Sequence, residues 1–333
     1  HLAALYDKKA EAEAAVEARS RALMLKPEMI EDREKYARGL QKIGRNTEAI
    51  TQFLQIADEY ITRKSHEKAT QWASQVISLD SENAEAHKKL KAIFVITGRS
   101  EEAVREIEWL AAHFTETNSL QDAEILLLEG IELDPKNITL HENLVDIYIQ
   151  MGRIENATDQ LLKVTQQALF LGNLPMAVSA LERARDLSGD NVEIRKTLAG
   201  LYNRGGESDK AREELFYTAN LLLEQGLVEK SEQICSGMID LAPKDCILRE
   251  RVAELFLKHD IPELAARQFI EISSLKKTEQ KYEEVIIFAD KTLAINNRST
   301  EARENRIESF LKLDRRKDAY DELKILSDIY TDL

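Results

Sequence analysis

Apolar residues recur along this chain at the three- and four-residue spacing of a helix stripe, and the whole pattern recurs every 54 residues. Written in rows of 54 from Leu25, the sequence aligns with itself without a gap, the rows opening at Leu25, Leu79, Leu133, Leu187, Leu241 and Ile295. Position 25 is alanine in all six rows: Ala49, Ala103, Ala157, Ala211, Ala265 and Ala319. Position 16 is always large (Leu40, Phe94, Tyr148, Tyr202, Phe256, Phe310), and so is position 29 (Phe53, Ile107, Leu161, Leu215, Phe269, Leu323). Position 20 reads Gly44, Gly98, Gly152, Gly206, Asp260 and Asp314. A fixed period of this kind marks an array of similar packing units and not a globule around a single core.

Each row predicts three helices: A over positions 7–19, B over 22–39 and C over 42–54. The glycine column suits the left-handed residue that ends helix A. Between C and the next A stand segments such as "LDSEN", "LDPKN", "LSGDN" and "LAPKD", whose Pro, Asp and Asn stop one helix and cap another. The small residue at position 25 lets helices A and B approach within about 8–10 Å, so that the large side chain of position 16 fills the groove between them. No single hairpin buries its stripe alone, so neighbouring rows cover one another. Three antiparallel helices per row also imply that successive rows point in opposite directions, with true repetition only every second row. The alternation at position 28 (Gln52, Glu106, Gln160, Glu214, Gln268, Glu322) fits that arrangement, and equally fits an exposed site where the two residue types are interchangeable.

The spacing of Leu144, Tyr148, Gly152, Ala157 and Leu161, with its "LDP" loop, resembles the tetratricopeptide repeat (TPR), in a variant with a 54-residue three-helix unit. Small residues recur at position 45 (Ala69, Ala123, Ala177), 20 residues after position 25, so helix B serves as the second helix of one motif and the first of the next. The resemblance implies an all-α, right-handed superhelical solenoid of about 19 antiparallel helices. Its units are 1–24 (partial), 25–78, 79–132, 133–186, 187–240, 241–294 and 295–333 (partial), within a single domain over 1–333. The aromatic usual at the start of the family's helix A is missing, so no subfamily's ligand carries over. Residues 2–9 are expected to be the tail of a preceding helix B, and both ends cut through a repeat. They are expected to belong to a longer protein or to dock on neighbours, including by self-association.

Composition agrees with an all-helical chain: 333 residues carry only 5 Pro and 12 Gly, and 43% are hydrophobic. The formal net charge of −14 argues against nucleic acid, which requires a contiguous cationic surface. No apolar run is long enough for a membrane span, so no direct membrane insertion is expected, and a cytoplasmic location follows. Cys235 and Cys246 occupy apolar columns and are expected to be inert buried fillers.

No Gly-rich phosphate loop, HExxH or nucleophile elbow is present, so the chain is expected not to be an enzyme and to need no cofactor or metal. The most regular polar feature is position 9: Arg33, His87, His141, Arg195, Arg249 and Arg303. These cations either pair with nearby carboxylates along a helix boundary or form an electropositive, ligand-facing spine. Trp109 and Tyr217 are aromatic at position 31, where the other rows have Gln55, Lys163, Glu271 and Ile325, so they are expected to be exposed anchors for a partner. Trp72 shares its column with Leu126, Ile234 and Phe288 and is expected in the core. Val95 and Ile149 at position 17 are expected to form an apolar strip flanked by Lys89 and Asn143, unless neighbouring helices cover them. Together these features predict a scaffold or adaptor holding a peptide or helix of another protein. The alternative is a recruiting or regulatory arm of an enzyme or assembly whose catalytic domain lies outside this chain.

Overall fold

The structure, a computed structural model, describes residues 11–26 and 29–331 together with Tyr6. The expected helical tail over residues 2–9 therefore lies, apart from Tyr6, outside the described residues. Among the described residues there are 18 helices and no strand. The A helices are α2 (Ile30–Lys42), α5 (Ala84–Ile96), α8 (Ile138–Gln150), α11 (Val192–Arg204), α14 (Cys246–Lys258) and α17 (Thr300–Lys312). The B helices are α3 (Asn46–Thr62), α6 (Ser100–Glu116), α9 (Ile154–Phe170), α12 (Ser208–Glu224), α15 (Pro262–Thr278) and α18 (Arg316–Thr331). The C helices are α1 (Ala12–Leu25), α4 (His66–Leu79), α7 (Leu120–Leu133), α10 (Leu174–Leu187), α13 (Val228–Leu241) and α16 (Tyr282–Ile295). Every helix starts 54 residues after its counterpart, so the register read from the alanine column is the register of the fold.

The turns explain why the register holds. All six residues at position 20 have a left-handed backbone, from Gly44 (φ 79°) to Asp260 (φ 57°) and Asp314 (φ 55°). Behind each one, the next amide reaches back to the carbonyl of position 16, as in Arg99 N to Phe94 O (2.9 Å) and Arg153 N to Tyr148 O (2.8 Å). This six-to-one bond closes helix A and starts helix B with almost no linker. A second left-handed residue at position 40 ends helix B the same way, at Lys64, Asn118, Gly172, Gly226 and Gln280. Its sequence is too varied to have marked it. Helix A is opened by a side-chain cap at position 5, where Asn83, Asn137, Asn191, Asp245 and Ser299 accept from backbone amides of the first turn.

Position 25 is buried throughout, each alanine being at most 1% exposed, and Ala15, Ala69, Ala123, Ala177, Ser231 and Val285 at position 45 are equally covered. Position 16 fills the space they leave, from fully buried Leu40 to Phe94 at 6%. Ala157→Leu is expected to cost about 1–3 kcal/mol by wedging α8 from α9. The readout is the urea midpoint, and an unchanged midpoint would show that the alanine column is not a close contact. Leu323 departs from its column: no described helix follows α18 to cover it, and it is 47% exposed.

The chain divides into two compact units, His1–Ala180 and Leu181–Leu333, with the division inside α10 and not between repeats. In the first unit one apolar cluster runs from Val16 to Ala103, and in the second another runs from Ala219 to Phe288. Within each unit helices pack on their chain neighbours; in addition α3 touches α5 in the first and α15 touches α17 in the second. Alternate helices thus share a layer.

Candidate functional site

The position-9 cations are joined to helix B in every repeat, always 19 residues ahead at position 28. Arg33 Nη1 donates to Gln52 (3.3 Å), Arg195 to Glu214 (2.6 Å), Arg249 to Gln268 (3.1 Å) and Arg303 to Glu322. His87 Nδ1 lies 2.6 Å from Glu106 Oε2, and His141 Nδ1 lies 2.8 Å from Gln160 Oε1. The other nitrogen of the same side chain reaches the carbonyl of position 3 in the loop before helix A. These bonds run from His87 to Ser81 (3.2 Å), His141 to Pro135 (3.2 Å), Arg195 to Gly189 (2.7 Å), Arg249 to Pro243 and Arg303 to Asn297. One side chain therefore ties the C–A loop to helix B. Of the two expectations for this column, pairing along a helix boundary is the one observed, but with a carboxylate only at His87, Arg195 and Arg303; Arg33, His141 and Arg249 meet a glutamine instead.

Position 28 is not an exposed site: Gln160, Glu214 and Glu322 are buried. The Glu–Gln alternation has a local cause in two repeats. Glu214 takes a second guanidinium from Arg185 (2.6 Å), and Glu322 takes one from Arg306 (3.0 Å), which an amide oxygen would balance poorly. Burial lowers the pKa of Arg185, yet the hydrogen bonds to Glu214 and Asp186 more than offset it and hold the group above its ordinary value.

Trp109 is not the exposed anchor expected. It is half-buried, with its ring stacked on His87 (centroids 3.5 Å apart, planes 15° apart) and on His113 (5.3 Å, 10°). Tyr217, at the same position, lies under the Arg195 guanidinium at 3.9 Å but keeps 44% of its surface exposed. Position 31 adjoins position 28 on helix B, so an aromatic there lies against the position-9 cation and gains from the contact. Trp72 is in the core as expected, 4% exposed and 5.3 Å from the Phe53 ring.

Val95 and Ile149 are exposed (37% and 36%), as are Leu257 and Leu311 at the same position. The structure does not bring Val95 and Ile149 together: α5 packs on α6 and α8 on α7, and α5 and α8 are separated by α6 and α7 in the packing order. Lys89 is already engaged, with Asp58 (2.5 Å) and Glu85 (3.3 Å). Burial lowers its pKa, and these carboxylates overcome that and raise it. Asn143 lines a pocket of about 290 Å³ between α6, α7 and α8, with Thr115, Glu116, Asp146 and Gln150 around an apolar floor that includes Leu127. The sequence reading missed the last four; comparing the A-helix and B-helix columns for lysine would have found them.

Cys235 is 2% exposed and burial pushes its thiol up to about 12. Cys246 is half-buried instead of buried, because it opens α14 at the surface of the C–A loop. Tyr60 donates to Glu34 (2.6 Å), and burial together with that carboxylate raises its pKa to about 12. An unfolded tyrosine ionises near about 10, so this preference for the neutral phenol is fully present below pH 10 and is lost as pH rises towards 12. Tyr60→Phe is expected to flatten the fall in Tm across that window; parallel curves for the two proteins would refute the assignment.

Among the described residues no group of three His, Cys, Asp or Glu side chains could hold a metal ion, and no helix is long and apolar enough to cross a membrane. Among solved structures the chain is similar to the P58(IPK) TPR domain, with 15% identity, 84% of this chain and 92% of that chain covered, and a TM-score of 0.21. It is also similar to MamA (17% identity, 68% and 98% covered, TM-score 0.17) and to the Cut9–Hcn1 hetero-tetramer of the APC/C (10%, 98% and 86%, 0.20). TM-scores this small give these likenesses no weight, and the fold rests on the repeat geometry itself. No family model matches the chain, and no curated protein matches its sequence.

Proposed function

We propose that this protein is a non-catalytic scaffold that binds segments of other polypeptides on the faces between its helices. One observation carries the reading. Position 17 is apolar in four repeats, yet Val95, Ile149, Leu257 and Leu311 are 36–54% exposed while the large residues of position 16 beside them are buried. The fold does not need these side chains apolar, and exposed apolar surface of this kind is a marker of contact with a partner. The position-9 column, the most regular polar feature of the sequence, is occupied in joining loop to helix. Val95, Ile149, Asn143 and the open edge of Tyr217 are the proposed contacts; Trp109 and Lys89 are engaged within the repeats and contribute by shaping them.

Crosslinking mass spectrometry in extract of the native source tests this. Partner peptides are expected to map to helix A at position 17, and Val95→Asp with Ile149→Asp is expected to remove them at least tenfold without lowering Tm. A crosslink set unchanged by both substitutions would overturn the reading. The acidic chain is also expected to pass unretained over phosphate polymers at physiological salt.

A further inference from the structure

We propose that the pocket between α6, α7 and α8 accepts a lysine side chain carried by a partner polypeptide. This rests on the scaffold reading above and goes further by naming what one site recognises. Three of the other junctions between a helix B and the next helix A carry a lysine across the same gap. Between α3 and α5, Lys89 of position 11 reaches Asp58. Between α12 and α14, Lys258 of position 18 donates to Asn220 (3.2 Å). Between α15 and α17, Lys277 of position 37 donates to Asn305 (2.9 Å) and Glu308 (3.1 Å). In each case a lysine of the chain bridges the two walls.

At the α6–α8 junction the acceptors remain and the lysine does not. Asn143 and Asp146 stand at the positions of Asn305 and Glu308, but position 37 is Thr115, position 18 is Gln150 and position 11 is Asn143 itself. Glu116 adds a second carboxylate, and about 290 Å³ of space lies between the walls over an apolar floor. That floor suits a lysine stem, and the rim of carboxylates and amides suits its ammonium. The site does not depend on Asp146 being otherwise disengaged: Glu214 and Glu322 each serve two cations at once.

The test uses a fluorescein-labelled 12-residue peptide alternating lysine with alanine, and its norleucine counterpart, read by anisotropy at physiological salt. The lysine peptide is expected to bind and the norleucine peptide is not. Thr115→Lys, which restores the side chain found at position 37 of repeat 5, is expected to weaken binding at least tenfold while keeping Tm. Asn143→Ala is expected to weaken it several-fold. Glu82→Gln, which changes the net charge by the same amount as Thr115→Lys but on an exposed loop, is expected to leave it unchanged. Equal binding by Thr115→Lys, equal loss with Glu82→Gln, or no binding of the lysine peptide overturns the proposal. The scaffold reading is judged separately: crosslinked partners that persist in Thr115→Lys leave it standing while this inference falls, and an absence of partners removes it whatever the peptide does.

Discussion

Phe53→Ala is expected to destabilise the first repeat by about 3–5 kcal/mol, the range for deleting a fully enclosed aromatic side chain. Phe53 is wholly buried, packs its ring 5.3 Å from that of Trp72, and belongs to the cluster that joins α2, α3 and α4 to α5. The cavity left would be bounded by the small residues of the alanine columns and by side chains such as Trp72 and Ile56 that are themselves packed in the same cluster. In an array each repeat is stabilised by its own interior and by the faces of its neighbours, so the damage should remain near the cavity. Hydrogen exchange should accelerate over α2–α4 and leave α7 and α8 little changed, with Phe53→Leu intermediate. Uniform acceleration across the first compact unit would show that it unfolds as one block, and protection unchanged in α2–α4 would refute the packing account.

Glu214→Ala is expected to be of similar size, about 3–5 kcal/mol, for a different reason. Its carboxylate is buried and takes Arg195 and Arg185 at 2.6 Å each, so its removal strands the Arg195 guanidinium without a counter-charge and leaves Arg185 with Asp186 (2.8 Å) alone. The penalty is the cost of the stranded charge, not the value of the bond. Glu214→Gln should recover part of the loss, since repeats 1 and 5 already pair Arg33 and Arg249 with Gln52 and Gln268. An amide oxygen has no charge to share with Arg185, so recovery should be incomplete. Urea unfolding of the three proteins orders them; a Gln variant no better than Ala would mean that charge alone, and not the hydrogen bond, sets the cost.

Both predictions arise from columns visible in the sequence, but only the first could have been made there. The alanines of position 25 and the large residues of position 16 recur because two helices can approach only at one spacing, and a chain repeating that demand six times displays it plainly. The left-handed turn at position 20 was legible where glycine marks it. Its counterpart at position 40 was not, since Lys64 and Gln280 adopt the same backbone with no residue preference to reveal it. The position-9 cations were seen as a column, but their partners were not, because a 19-residue separation crosses a turn between two helices and leaves no periodicity of its own.

Trp109 marks the limit most clearly. A residue apolar where its siblings are polar looked like a site left for a partner, yet its ring is used within the repeat, against His87 and His113. Sequence alone determined the helix count per repeat, the 54-residue register and the buried columns, because these follow from local propensity and from packing demands repeated at fixed spacing. Tertiary structure decided which apolar side chains stay exposed and which polar groups are already satisfied. Those depend on contacts between separate helices, which leave no periodicity in the sequence to read.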